Sequence, residues 1–366
     1  MTASDQDITT MWQNAYKAIS VLNFLMASVD DLGSSATAVT LSYKGEALYF
    51  RALVYYNLVT RWGGVPLILN ATDQAVQRST ETQVWTQIEA DLTAARSLIG
   101  VYSNNLYASD QAVKALQARV YLATGDDTNA TLYADSVINF SNGKFGLATD
   151  ATSYSTMFTA GNTSKEIIFA LANNSTGDPH LFYGAVNDTK ATWTYSPATF
   201  PYQNLYLDGT TPVVKMSDRR KTAVFSSDAT RVIKFPNGKT GQQLAASTNP
   251  AATPMIISRM AEMYLIKAEA LGATAGAPVL SAYLNDRYDT PPALADLQSL
   301  TDAQYEDLIV NEYRREFYVE GHWWYDVKRT GRTDLLTSLA GRTYLLYYPI
   351  PQVEKDLAGY TQNLGY

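Results

Sequence analysis

The 366 residues carry 28 basic and 35 acidic side chains, for a net charge of −7 and a pI near 5.0. That balance argues against a nucleic-acid partner, whose phosphates call for a basic face. At 46% apolar the chain buries a large core, yet no run of 18 apolar residues could span a bilayer as a helix.

Cysteine is absent, so disulfides, thiol nucleophiles and thiolate metal sites are excluded. His180 and His322 are the whole histidine complement, too few for a multi-histidine zinc centre. There is no Gly-rich phosphate loop and no calcium-loop spacing, so neither metal nor cofactor is expected. Tyrosine stands out at 26 residues; its ring offers both an apolar face and a hydroxyl, which suits polar ligands, although many tyrosines also serve helix packing. The start, MTASDQD, has no basic-then-apolar leader, which implies either a cytoplasmic protein or a leader lying upstream.

In chain order, Ile8 to Val29 spaces Trp12, Tyr16, Ile19, Leu22 and Leu25 as a first helix. A second runs from about Thr37 to Trp62, apolar on nearly all sides and therefore buried. Arg51 lies within it and needs a carboxylate; Glu312, Glu316 and Glu320 are the expected partners. Gly63, Gly64 and Pro66 end that helix, Val65 to Leu69 is extended, and a third helix covers roughly Thr80 to Ile99. Next, Ala115, Ala118, Tyr121 and Leu122 make one face, Gly125-Asp126 a turn, and Ala130, Tyr133, Ala134, Val137 and Ile138 a second face. This is the tetratricopeptide pattern of helix, turn, helix.

From Ser141 to about Thr253 periodicity weakens and Gly, Asn, Thr, Ser and Pro accumulate. Glu166 to Leu171 reads as one short buried strand. Helix returns at Ile256, with a shorter partner helix from Val279 to Asp286 and another over 301–318. The fold expected is mainly α: one domain, 1–366, with a tetratricopeptide-like hairpin scaffold in 1–140 and 256–345. An irregular ligand-binding insertion fills 141–255, and a tail covers 346–366.

The stretch from Asn311 to Arg329 organises the rest. Glu312, Glu316 and Glu320 form a stripe of like charge that opposes a helix unless cations answer it. Gly321 breaks the helix, and His322, Trp323, Trp324 and Tyr325 form an aromatic knot before a polar turn at Asp326, Lys328 and Arg329. Carboxylates beside aromatic rings are compatible with a glycosidase. The alternative is structural: acids paired with buried arginines from elsewhere, and rings that lock two elements together, with Arg51, Glu312, Glu316, Glu320, His322, Trp324 and Asp326 all bracing the fold.

Four segments together resemble the SusD/RagB-type nutrient-binding lipoproteins of Bacteroidota. They are Gly45 to Leu67 (GEALYFRALVYYNLVTRWGGVPL), Ser258 to Ala270 (SRMAEMYLIKAEA), Asn311 to Arg329, and the tail with Pro349-Ile350-Pro351 and QNLGY. Trp323 stands where the family usually has arginine, and Asn311-Glu312-Tyr313 replaces a more basic run. The resemblance implies a helical frame with an irregular ligand face, held outside the outer membrane by a lipidated N-terminal Cys that is expected upstream of residue 1. It also implies a SusC-like TonB-dependent transporter as partner and glycans, or in some relatives peptides, as cargo.

The ligand site is expected in the middle segment, where rings alternate with amides and acids: Trp193, Tyr195, Tyr202 and Tyr206 with Asn204 and Asp208. Asn70 and Arg78, in the loop after Pro66, are a second contribution. Non-catalytic glycan binding is the first reading. A glycoside hydrolase would need two facing carboxyls, drawn from Glu312, Glu316, Glu320 and Asp326. A peptide-binding scaffold is the third reading.

Overall fold

The computed structural model describes residues 1–72, 74–140, 143–158, 163–171, 218–225, 234, 254–336, 339 and 341–366. These fall into two compact units: Met1–Tyr102 with Ala108–Thr124 and Val327–Tyr366, and Ser103–Tyr107 with Gly125–Asp326. The protein is mainly helical, as its periodicity predicts.

In the first unit, α1 (Gln6–Asp30), α2 (Ala38–Trp62) and α3 (Glu81–Leu98) pack in succession, and α4 (Asp110–Thr124) joins α3. Threonine caps start two of them. Thr37 pairs reciprocally with Thr40, and Thr80 with Gln83, which satisfies amide groups that a helix start leaves orphaned. Leu48, Ala52, Tyr55, Val59 and Trp62 are buried along α2, whose apolar residues leave little polar face. The tail helix α12 (Gln352–Ala358) begins after Pro351. The tail is clamped to the end of α2: the Trp62 indole donates to Pro349 O at 2.9 Å, and Asn363 Nδ2 donates to Trp62 O at 2.9 Å and to Tyr348 O at 2.7 Å.

The Arg51 expectation is corrected here. Its guanidinium makes a two-pronged pair with Asp91 on α3, both bonds at 2.7 Å, and donates to Asn23 Oδ1 at 2.8 Å and Leu69 O at 3.1 Å. A buried arginine takes the carboxylate that its own helix pairing presents, and α3 packs directly on α2.

In the second unit, α5 (Asp127–Ile138) packs against α8 (Met260–Arg287), which also holds α9 (Leu294–Gln298) and α10 (Asp302–Glu316). Two shorter helices, α6 (Ala151–Met157) and α7 (Lys221–Val224), lie together. β1 (Ile167–Leu171) is the strand expected from EIIFAL. Its partner was not foreseen: residues 255–259, read as helix from Ile256, form β2 (Met255–Arg259), antiparallel to β1 with Ile167 opposite Arg259. Isoleucines 256 and 257 suit a half-buried strand as readily as a helix start, and only the partner strand decides. The polar turn expected at 326–329 is instead helical, inside α11 (Trp323–Thr330).

The two helices expected over 256–286 are both present within α8, separated by a non-helical break at Gly272, φ +70°. Beyond the break, Gly276 lies so close to the first half that a Cβ would sit 2.1 Å from Ala268 O and 2.5 Å from the Tyr305 hydroxyl. Glycine is what lets the two halves meet. Their contact face, with Leu265, Leu280, Leu284, Tyr305, Ile309 and Phe317, is one continuous buried cluster.

Asp91→Ala should lower the unfolding free energy by about 3–5 kcal/mol, because Arg51 is left charged and buried. Asp30→Ala, which breaks an exposed pair with Lys44, should change it by less than about 1 kcal/mol. Urea denaturation of both variants checks the contrast.

Candidate functional site

The carboxylate stripe of α10 meets its cations inside the second unit. Glu316 Oε2 accepts from Arg220 Nη1 at 2.8 Å, from the Tyr283 hydroxyl at 2.7 Å and from Arg287 Nε at 2.9 Å. Its Oε1 accepts from Arg259 Nη1 and from Arg287 Nη2. Glu312 is held by Arg220 Nη2 at 3.0 Å, by Arg315 Nη1 at 2.8 Å and by the Tyr288 hydroxyl. Glu320 accepts from Lys234 at 2.5 Å and from Arg259 Nη2 at 2.8 Å.

The strand pair contributes one more acid. Met260 N donates to Glu166 O at 2.8 Å across the ends of β1 and β2. This sets the Glu166 carboxylate against Arg259 Nη1 at 2.9 Å and Arg287 Nη2 at 2.7 Å. Asp218, just before α7, grips Arg220 at 2.6 Å. Among the described residues the network thus joins five cations (Arg220, Arg259, Arg287, Arg315, Lys234) to five carboxylates (Asp218, Glu166, Glu312, Glu316, Glu320). It is closed in charge, and Glu312 and Glu316 are wholly shielded from solvent.

Burial alone would raise the carboxyls of Glu312 and Glu316. The guanidiniums of Arg287, Arg259 and Arg220 outweigh it and hold Glu316 well below its ordinary value, and Arg220 and Arg315 lower Glu312. Burial pushes the phenols of Tyr283 and Tyr288 well up, so both stay protonated and donate to these acids. Burial also pushes the Lys234 ammonium down to about 8, against the pull of Glu320. A general acid needs a proton to give at neutral pH and a path to substrate. Glu312 and Glu316 have neither, so these two cannot supply the facing pair considered from sequence.

Val319, in the turn after α10, is held at φ +57°, a strained conformation for a β-branched residue. Lys234 donates to two carbonyls ahead of the bend, Glu316 O at 2.9 Å and Tyr318 O at 3.1 Å, and to the Glu320 carboxylate beyond it. The aromatic knot then packs back: His322 stacks on Phe317 at 4.2 Å, and the Arg259 guanidinium lies 4.2 Å from the same ring. Arg314 covers Trp323 at 4.8 Å. Trp324 and Asp326 sit on α11, with Asp326 buried.

Of the residues expected to meet ligand, Trp193, Tyr195, Tyr202, Tyr206, Asn204 and Asp208 lie outside the described residues. Asn70 is exposed. Arg78 donates to Gly64 O at 2.8 Å, to Thr361 O at 2.7 Å and to Asn363 Oδ1 at 2.8 Å, so its guanidinium ties the loop after α2 to the tail. Sequence reasoning missed Arg220 and Lys234, which fall in the stretch it read as irregular. The excess of acid on one helix stripe was the signal that such cations had to exist.

Residues 147–342, more than half of the chain, match the sequence model described as the SusD family, and residues 1–122 match a SusD-like model described as starch-binding associating with outer membrane. The chain belongs to the SusD family. Two SusD-like proteins of Formosa agariphila, P38 and P2, are each 24% identical to it. The first alignment covers 88% of this chain and 72% of the relative, the second 98% and 81%. A SusD superfamily crystal structure from Bacteroides thetaiotaomicron superposes with a TM-score of 0.78 at 26% identity, over 99% of this chain and 87% of that one. A structure described as a laminarin-binding SusD-like protein superposes with a TM-score of 0.71 at 22% identity, over 98% and 86%.

The segments that carry the SusD resemblance are the bracing segments of this chain. Gly45 to Leu67 supplies Arg51, Ser258 to Ala270 supplies Arg259, and Asn311 to Arg329 supplies the glutamate stripe. The tail supplies the clamp on Trp62.

Because Glu316 and Glu312 have depressed carboxyl pKa values, their contribution to stability is present above the unfolded value of about 4.3 and is lost as pH falls through the folded values. Urea midpoints should therefore fall steadily below about pH 4.3. Glu316→Gln should cost about 3–5 kcal/mol at neutral pH and flatten that acid dependence.

Proposed function

We propose that this SusD-family chain is a non-catalytic binder of oligo- or polysaccharide. It holds its ligand at the cell surface and passes it to a SusC-like TonB-dependent transporter, tethered to the outer membrane by a lipid on a cysteine upstream of residue 1. The observation that carries the reading is the match of residues 1–122 to a family described as starch-binding and associated with the outer membrane. The structural neighbour described as laminarin-binding agrees with it. The buried, arginine-locked state of Glu312 and Glu316 supports a frame that binds without breaking bonds. No helix among the described residues is long and apolar enough to cross a membrane, which fits attachment by an anchor or partner.

The residues proposed to contact the sugar are Trp193, Tyr195, Tyr202 and Tyr206, with Asn204 and Asp208 among them in sequence, and the exposed Asn70 in the α2–α3 loop. Rings stack on the C–H faces of sugars while amides and carboxylates take their hydroxyls. Arg78 is proposed to act on that loop through its bonds to the tail.

Gel retardation in starch and laminarin, followed by calorimetry with the corresponding oligosaccharides, tests the reading. Binding to at least one glycan is expected, with no release of reducing sugar. Trp193→Ala with Tyr195→Ala should weaken it about tenfold or more, the worth of ~1.4 kcal/mol of stacking. Unchanged affinity would remove these two rings from the site, and liberated reducing ends would overturn the non-catalytic assignment.

A further inference from the structure

The first unit carries a cleft that neither the glutamate network nor the ring-rich middle segment explains. It lies between α1, the extended chain after α2 and the tail, and encloses about 240 Å³. Two half-buried rings line it, Tyr16 and Tyr360, with Trp12, only 2% exposed, behind them and Pro66 and Ile68 completing the apolar wall. Tyr16 donates its hydroxyl to Pro66 O at 2.9 Å, and Tyr360 donates to Val76 O at 3.0 Å. With both phenols tied to backbone carbonyls, these side chains offer the cleft ring surface and not free hydroxyls.

One polar pair shares the lining. Gln13 Nε2 donates to Glu354 Oε1 at 3.0 Å, and among the described residues no donor reaches Glu354 Oε2. The cleft therefore presents ring surface with one open carboxylate acceptor. That combination could suit an organic cation or a hydroxylated neutral ring. The neutral ring is the occupant that accords with the glycan-binding reading; Arg78, which acts on Tyr16 and Tyr360 from close by, supplies no free cation to the cleft. The guanidinium is itself engaged by Gly64, Thr361 and Asn363, so it offers no anion-binding fork. At about 240 Å³ the cleft lies below the usual 300–1,000 Å³ of pockets for drug-sized ligands, which fits one ring and not a chain.

We propose that this cleft is a single-ring sugar subsite: a neutral pyranose lays its C–H face on the aromatic lining and donates a hydroxyl proton to Glu354 Oε2. The assignment rests on the glycan-binding reading above, but the lining of the cleft includes none of the residues proposed there to contact the sugar.

The test uses the full chain with isoleucine methyl labelling, the Ile68 signal being assigned by Ile68→Val. D-glucose, D-galactose and tetramethylammonium are titrated separately. A saturable shift of the Ile68 methyl with a hexose is expected, weakened about fivefold or more in Glu354→Gln and in Tyr360→Ala at unchanged melting temperature. The shift should persist in the Trp193→Ala, Tyr195→Ala variant. A response to tetramethylammonium alone, or hexose shifts indifferent to Glu354→Gln, would overturn the subsite. If Ile68 is silent while starch or laminarin still retards the protein, the subsite fails and glycan binding stands. If no glycan binds at all, both fail.

Discussion

Glu316 is the side chain on which the second unit depends. Its two carboxylate oxygens and its main-chain carbonyl collect three arginines, a lysine and two tyrosines. The donors come from Tyr154 on α6, from the Asp218–Arg220 turn, from Lys234, from the end of β2 and from the last turns of α8. A carboxylate this deep is tolerable only when every lone pair is answered, and each donor in turn needs its own acid. The network is therefore a register device. If one element slid by a residue, a charge would be stranded in the core at a cost of several kcal/mol.

That device also explains the division of labour in the chain. The sequence features that look most chemical, a triple glutamate stripe beside a cluster of aromatic rings, are consumed by bracing. Arg259 bonds three glutamates and lies against Phe317, and His322 stacks on that ring too, so the aromatic knot closes over the charge network. The strained bend at Val319 persists because Lys234 and Glu320 fix both of its sides. Binding then falls to surfaces that the frame does not use.

Much of this was legible before any coordinates. The helices of the first unit, from Gln6 to Leu98, fall where their apolar spacing and threonine caps place them, because those signals are local. The demand for arginines around the glutamate stripe was legible too, since like charges at four-residue spacing cannot stand unanswered. Which arginines answer was not. Arg51, set in an apolar helix, carries a buried-cation signal, yet it pairs with Asp91 because α3 lies against α2, while Arg220, from the stretch read as irregular, reaches Glu312 and Glu316 from 92 and 96 residues away. Charge says that a partner is needed, and only packing says whose. The strand at Met255–Arg259 was missed for the same reason: its pattern is ambiguous until β1 is beside it.

The sequence by itself determined the class of this protein. Acidic balance, absent cysteine, amphipathic periodicity and four ordered segments made it a helical member of a binding family with no thiol or multi-histidine zinc chemistry. Tertiary structure alone decided what the charged groups are for. It drew Glu166, Asp218, Arg220, Lys234, Arg259 and Arg287 to the stripe on α10, and it left Glu354 with an open oxygen beside the rings of Tyr16 and Tyr360. Periodicity is a property of neighbours along the chain. Ion pairing and cleft formation are properties of neighbours in space, and side chains a hundred residues apart become neighbours only when the helices have packed.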